Sequence, residues 1–410
     1  MPTIVMKFGG TSVANIEKIN AAADKVAAEV ARGNKVVVVV SAMSGVTNKL
    51  VGYCREMSSM YDIREYDTVV SSGEQITSGL MAMALQERDI TARSWLGWQV
   101  PIHTDNVHGQ ASITSIETDA LQERLNLGEV AVVPGFQGLT ARNRISTLGR
   151  GGSDTTAVAL AAALKADRCD IYTDVDGVYT TDPRIVPEAQ KINRISYEEM
   201  IELASLGAKV LQTRSVEVAM KNNVNLQVLC SFGEEIGSDL PGTLLTANED
   251  DMETKIVSGV AYQADEAKVT LLNVPDIPGI ASKIFKPLSN AAVNVDMIVQ
   301  NISSNGDATD MTFTVSKGEL PRALKALEQV EGVDDLEIRV AEDLAKVSVV
   351  GVGMITNHGI ASTMFETLAE KNINIEVVST SEIKISVLIK RDYMELAVRA
   401  LHSAFGLDQE

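Results

Sequence analysis

The sequence predicts an α/β protein: a mostly parallel sheet with helices on both faces, followed by two interleaved βαββαβ units. Up to about Phe232, short β-branched runs alternate with longer helical patterns, the rhythm of right-handed βαβ crossovers. Beyond it the chain repeats itself. Gly279-Ile280-Ala281-Ser282 recurs as Gly359-Ile360-Ala361-Ser362, and Phe285, Leu288 and Asn294 recur as Phe365, Leu368 and Asn374. The third observation is scale: 410 residues, 45% hydrophobic and 22% charged, are enough for two or three domains with cores of their own.

Taken in order, Thr3–Phe8, Lys35–Ser41, Thr91–Trp95, Glu129–Pro134, Cys169–Thr173 and Asn225–Cys230 read as buried strands. Ile16–Ala31, Thr68–Glu87, Asp119–Asn126, Asp154–Ala166, Tyr197–Leu206 and Ala208–Asn222 read as helices. This first domain spans 1–232, and the polar stretch 233–253, with its Glu249-Asp250-Asp251 run, reads as a linker. The repeats then occupy 254–340 and 341–410. Each opens with a strand (Lys268–Val274; Lys346–Gly351) and passes through a glycine-containing loop into a helix. Two strands follow (Asn294–Gln300 and Thr309–Val315; Asn374–Thr380 and Lys384–Ile389), then a second helix near Leu320–Val330 or Tyr393–Phe405. The second copy ends before its last strand. Ile256–Gln263, ahead of the first copy, is a spare strand for that place, which interleaves the two.

Charge and cysteine usage exclude several functions. Lys and Arg number 36 against 55 Asp and Glu, a net charge of −19 that repels a phosphate backbone, so no nucleic acid partner is expected. Any anionic substrate must be held by a few well-placed cations. Cys54, Cys169 and Cys230 show no CxxC spacing, which argues against a zinc cluster or a disulfide framework and for a reducing, cytoplasmic compartment. The first ten residues lack a signal peptide's basic start and long apolar run, and no apolar run approaches the ~20 residues of a membrane span. His103, His108, His358 and His402 form no metal-like cluster, so no protein-bound metal is expected.

The chemistry-bearing motifs follow strands, where an α/β sheet binds its ligands. Lys7-Phe8-Gly9-Gly10-Thr11-Ser12 ends the first strand. Paired glycines let a phosphate approach the backbone, but a tight turn with a surface lysine would read the same way. Ser41–Asn48 is a loop of small and hydroxyl residues suited to a substrate or to a capping turn. Glu74 lies in a largely apolar helical segment, where spacing alone favours a solvated face over a ligand for a cation. Thr147–Thr156 combines three glycines with Arg150, a fork for a carboxylate or phosphate, and with Ser153 or Asp154 as helix cap. Tyr172–Arg184 lacks the later glutamate of a calcium loop and suits a nucleotide better. Lys209 supplies a further cation.

Together Lys7–Val13 (KFGGTSV), Ser41–Asn48, Gly135–Gly138, Thr147–Thr156, Tyr172–Arg184 and Gly207–Leu211 resemble the bacterial aspartate kinases, members of the amino-acid-kinase fold, and the repeats resemble their paired ACT regulatory domains. The resemblance implies transfer of the ATP γ-phosphoryl to the β-carboxylate of L-aspartate, giving 4-phospho-L-aspartate on the way to lysine, threonine and methionine. It implies Lys7, Asp154 and Lys209 as catalytic residues, with Lys7, Phe8, Gly9, Gly10, Thr173, Asp174, Tyr179, Arg184 and Lys209 around ATP and its magnesium ion. Ser41, Thr47, Glu74, Phe136, Arg150, Gly151, Ser153 and Asp154 would hold aspartate, Glu74 taking the ammonium group and Arg150 a carboxylate. Effector lysine or threonine would meet Asp276, Gly279, Ile280, Asn294, Gln300, Asn374 and Ile375. In the second copy Val-Pro-Asp-Ile-Pro-Gly becomes Gly-Met-Ile-Thr-Asn-His-Gly, so the copies need not bind the same ligand. The family also implies a homo-oligomer through the ACT domains, and Met252 stands where some relatives start a short regulatory subunit. A kinase for another small carboxylate, or a non-catalytic amino-acid sensor, are the competing readings.

Overall fold

The computed structural model describes residues 1–206, 210–247, 256–302, 308–330, 337–355 and 357–409. The chain divides into two compact units, Met1–Tyr179 with Lys191–Met252, and Thr180–Gln190 with Glu253–Glu410.

The first unit is built on an eight-stranded sheet. Its strand order is Arg194–Ile195, Thr243–Leu245, Leu226–Cys230, Arg168–Thr173, Thr3–Phe8, Lys35–Val40, Val130–Pro134 and Ala92–Ser94. The central strands are parallel, with Lys7 opposite Val39 on one side and Ile171 on the other. Their unbroken apolar runs fit a sheet buried on both faces: Val36 to Val40 are all at most 1% exposed. Thr243–Leu245, inside the stretch read as a linker, is a sheet member and runs antiparallel to Leu226–Val228. Local signals set the helices. Asn15 caps Ile16–Ala31 by accepting the Lys18 amide at 2.9 Å, and Ser196 with Glu199 forms a capping box on Tyr197–Ser205. The expected Thr68–Glu87 helix is two, Ile63–Val70 and Ser72–Gln86, and Val46–Met57 is a further helix that begins within the hydroxyl-rich motif Ser41–Asn48. A separate four-stranded sheet (Ile113–Ile116, Ile102–Thr104, Gln137–Thr140, Ile145–Thr147) carries the chain into the glycine-rich stretch.

The second unit is one six-stranded sheet that realises the interleaving. Gly259–Pro275 is a single long strand with bulges between Gln263 and Lys268. Its first part pairs with Lys346–Val350 and its later part with Ile338–Leu344, so the second repeat is completed by a strand that precedes the first. The repeated Gly279 and Gly359 both precede a helix in the left-handed region, at φ 90° and 96°, which only glycine adopts freely. Lys346, 4% exposed, pairs with Asp296 and lies 3.8 Å from Glu266, whose carboxyl burial pushes up to about 7. Among the described residues no helix is long and apolar enough to cross a membrane.

Thr180–Gln190 is continuous with the nucleotide-like loop, yet it packs in the second unit. The Val260 amide donates to the Thr180 carbonyl (2.7 Å), the Tyr262 hydroxyl to Asp182 (2.9 Å), and His402 shares a hydrogen bond with the Thr180 hydroxyl (2.9 Å). His402 is fully buried, and burial holds its pKa below the ordinary 6.5, with Asp408 and Glu188 opposing. The unfolded chain takes up this proton near pH 6.5 and the folded chain only at lower pH, so stability present above 6.5 is lost as the pH falls. Between pH 7 and 5 the thermal midpoint of the wild type should therefore fall more steeply than that of His402→Gln. Parallel slopes in a calorimetric pH series would refute this.

Candidate active site

A cleft of about 530 Å³ opens beyond the carboxyl ends of the central strands. Lys7 comes from the strand Thr3–Phe8, Ser41 follows Lys35–Val40, Phe136 follows Val130–Pro134, and Thr173 ends Arg168–Thr173. Chain order therefore scatters these residues while the parallel sheet gathers them.

Lys7 is 7% exposed and forms an ion pair with Asp154, itself 9% exposed in the first turn of the helix Gly152–Leu164. A buried ammonium paired with one carboxylate beside a helix N-terminus puts cationic and backbone N–H donors at the cleft of a chain that is acidic as a whole. Gly9 and Gly10 lie along the same wall, and a Cβ on Gly10 would come within 3.1 Å of the Ala42 carbonyl. Ser41 and Ser153 share a hydrogen bond of 2.7 Å that joins the loop after Lys35–Val40 to the first turn of Gly152–Leu164.

Glu74 departs from the expectation of a solvated face. It is 4% exposed in the first turn of Ser72–Gln86 and points into the cleft. Gly73 allows this, because a Cβ there would fall 2.8 Å from that of Ala42. The Ala42 amide donates to Glu74 Oε1 (3.1 Å), whereas Oε2 is buried and has no hydrogen-bond partner among the described residues. Burial raises its pKa to about 7 against the opposing amides of Ala42 and Glu74. A buried carboxylate with one oxygen unpartnered is costly on its own and suits an incoming cation.

The cap of Gly152–Leu164 is Gly151, at φ 68°, rather than Ser153 or Asp154, which sit inside the first turn. A Cβ on Gly151 would lie 2.1 Å from Gln212 Cγ, so only glycine fits there. Phe136 is also in the left-handed region, at φ 69°. It is held there by its amide on the Thr156 hydroxyl (3.1 Å) and by the Leu148 amide on its carbonyl (2.9 Å).

Of the residues singled out by sequence, Lys7, Gly9, Gly10, Ser41, Thr47, Glu74, Phe136, Gly151, Ser153, Asp154, Thr173 and Asp174 line the cleft. Phe8 does not: it is fully buried, stacked on Tyr172 at 4.8 Å, because alternation along the strand turns it from Lys7's side. Arg150 is exposed and outside the lining. Tyr179 donates to Asp176 instead, and Arg184, with its side chain 87% exposed, forks onto Asp182 within the second unit. Lys209 and Met252 lie outside the described residues. Sequence reasoning passed over Ile171 and Gln212, which also line the cleft; neither carries a motif signal. In the second unit Asp276, Gly279, Asn294, Gln300 and Asn374 are exposed, and Ile280 and Ile375 are half-buried.

Residues 2–230 match the amino acid kinase family, and residues 268–332 and 347–405 each match the ACT domain. The aspartate kinase of Stutzerimonas stutzeri is 53% identical over 410 residues, covering 100% of this chain and 98% of its own. The aspartokinase of Geobacillus stearothermophilus is 47% identical with the same coverage. Two solved structures of E. coli aspartokinase III are each 27% identical, covering 98% of this chain and 99% of that one. One, with aspartate and ADP in the R-state, has a TM-score of 0.79; the other, with lysine and aspartate in the T-state, 0.77. The fold and cleft thus define an amino acid kinase bearing a pair of ACT domains. Within that class the chain belongs to the aspartokinase family and is an aspartate kinase.

Proposed function

We propose that the enzyme transfers the γ-phosphoryl of ATP to the β-carboxylate of L-aspartate, releasing ADP and 4-phospho-L-aspartate. The observation that carries this is the buried Glu74 carboxylate, unpartnered at Oε2, on the same cleft as Lys7 and the start of Gly152–Leu164. Glu74 takes the substrate ammonium group, and Lys7 with the helix-start amides takes the phosphoryl oxygens. A β-carboxylate is already ionised at neutral pH, so its oxygen attacks phosphorus without a base as the bond to the ADP oxygen breaks. What remains is to bring two anions together and offset charge spreading over the phosphoryl oxygens. Thr173 and Asp174 stand on the nucleotide side, joined by a hydrogen bond of 3.1 Å. Asp174 is exposed and Asp154 faces the cleft, and carboxylates suit a magnesium ion that keeps its waters. Magnesium arriving on the nucleotide would neutralise phosphate charge. Arg150 on its glycine-flanked loop, together with Lys209, completes the set that the family resemblance assigns.

The product is an acyl phosphate on the route to lysine, threonine and methionine, and the ACT unit imposes feedback by lysine, threonine or both. The lysine bound by E. coli aspartokinase III supports this. The exposed Asp276, Asn294, Gln300 and Asn374 offer polar groups to such an effector and to a second copy of the chain. The test is ATP-dependent acyl phosphate formation from L-aspartate, trapped as the hydroxamate, with and without lysine plus threonine. Turnover suppressed by the amino acids is expected. Turnover without suppression overturns the regulatory half, and turnover only with glutamate overturns the substrate assignment.

A further inference from the structure

The glycine-rich stretch Thr147–Gly152 is held from behind by side chains that do not line the cleft. Arg214, in the helix Thr213–Asn222, donates from Nη1 to the Leu148 carbonyl and from Nη2 to the Ala111 carbonyl, each at 2.7 Å. Ala111 is tied to the same stretch, its amide donating to the Thr147 carbonyl at 2.9 Å. On the other side Asp67, fully buried, accepts the Thr147 hydroxyl at 2.6 Å. Asp67 also takes the Gly109 amide and lies 2.7 Å from His108 Nδ1.

Such bracing has a purpose here. Gly149 and Gly151 are in the left-handed region and Gly152 follows, so the backbone here has a large conformational freedom to lose. A guanidinium fork on two carbonyls is a rigid, charge-assisted clamp that a lysine reproduces only in part. What it clamps leads directly into Ser153 and Asp154, the partners of Ser41 and Lys7.

We propose that Arg214 and Asp67 are positioning residues for phosphoryl transfer: they fix the Thr147–Gly152 backbone so that the aspartate seat and the Lys7–Asp154 pair are in place before substrate arrives. The inference rests on the proposed aspartate site but adds residues that never touch substrate. It is tested in the full-length enzyme by steady-state kinetics of Arg214→Met, Arg214→Lys and Thr147→Val. Misplacing the seat by an ångström costs about 10- to 100-fold in kcat/KM. The expected result is a loss of that size for Arg214→Met, with KM for aspartate raised at least fivefold and KM for ATP little moved. Partial recovery is expected in Arg214→Lys, and a smaller shift of the same kind in Thr147→Val. A role confined to folding would lower the active fraction and the thermal midpoint but leave KM for aspartate where it was. KM for aspartate within twofold of wild type in both Arg214→Met and Thr147→Val overturns the proposal. Should Arg214→Met not fold, Thr147→Val, which removes one hydroxyl, decides alone. A wild type inactive on aspartate would instead sink the substrate assignment.

Discussion

Lys7→Met is expected to lower aspartate-dependent acyl phosphate formation by about 10²- to 10³-fold at saturating substrates, the usual effect of removing one preorganised charge from a transferring group. Methionine keeps the hydrocarbon stem, so the change isolates the ammonium group. Lys7 is 7% exposed and its charge is aimed by Asp154 rather than by solvent, which is why water cannot replace it. The variant leaves Asp154 buried without its cation, so some stability is lost as well. Circular dichroism and a thermal melt separate the two effects. A folded Lys7→Met enzyme that keeps more than a tenth of wild-type kcat would remove Lys7 from the phosphoryl site.

Glu74→Gln should act on aspartate rather than on ATP. Leaving a bound ammonium without its buried counter-charge costs roughly 2–5 kcal/mol, or about 30-fold or more in kcat/KM for aspartate. The carboxyl titrates at about 7 in the free enzyme. Below that pH it is protonated and cannot balance an ammonium group, so wild-type kcat/KM for aspartate should rise as the pH climbs through 7 and then level. The glutamine variant should show no such step. Stability runs the other way. With its pKa raised above 4.5, the folded state holds a proton that the unfolded chain has released, so this part of wild-type stability is lost as the pH rises from 4.5 through about 7, and then levels. Glu74→Gln should therefore melt higher than wild type at pH 8 while binding aspartate worse. A flat wild-type profile, or a variant less stable at pH 8, would sink the assignment of Glu74.

What was legible beforehand had a local cause. Ile16–Ala31 and Asp119–Asn126 appear with the expected bounds, and every expected strand of the first domain lies within two residues of its place. Apolar runs, caps and helical spacing act over a few residues. The repeat was legible too, since Gly279 and Gly359 perform the same left-handed turn in each copy. The helix Val46–Met57 was not, because loop-like serine and glycine residues mark its start and its apolar face is thin. At the cleft, Lys7, Gly9, Gly10, Ser153 and Asp154 announce themselves by motif. Glu74 does not: in its largely apolar helix, spacing alone favours a solvated carboxylate until Gly73 is seen to press that turn against Ala42. Arg150 is the arginine inside the motif, whereas the arginine that grips that loop is Arg214, 66 residues on from Leu148.

By itself the sequence determined the α/β rhythm, the doubled regulatory plan, the acidic surface that forces reliance on local cations, and the family to which the chain belongs. Only the tertiary structure decided which of two readings each polar residue takes. A carboxylate's role depends on whether it is desolvated and what it faces, and both are set by elements far away in the chain. So Glu74 became a buried acceptor, Phe8 a core ring, Thr180–Gln190 a part of the second unit, and Arg214 a clamp.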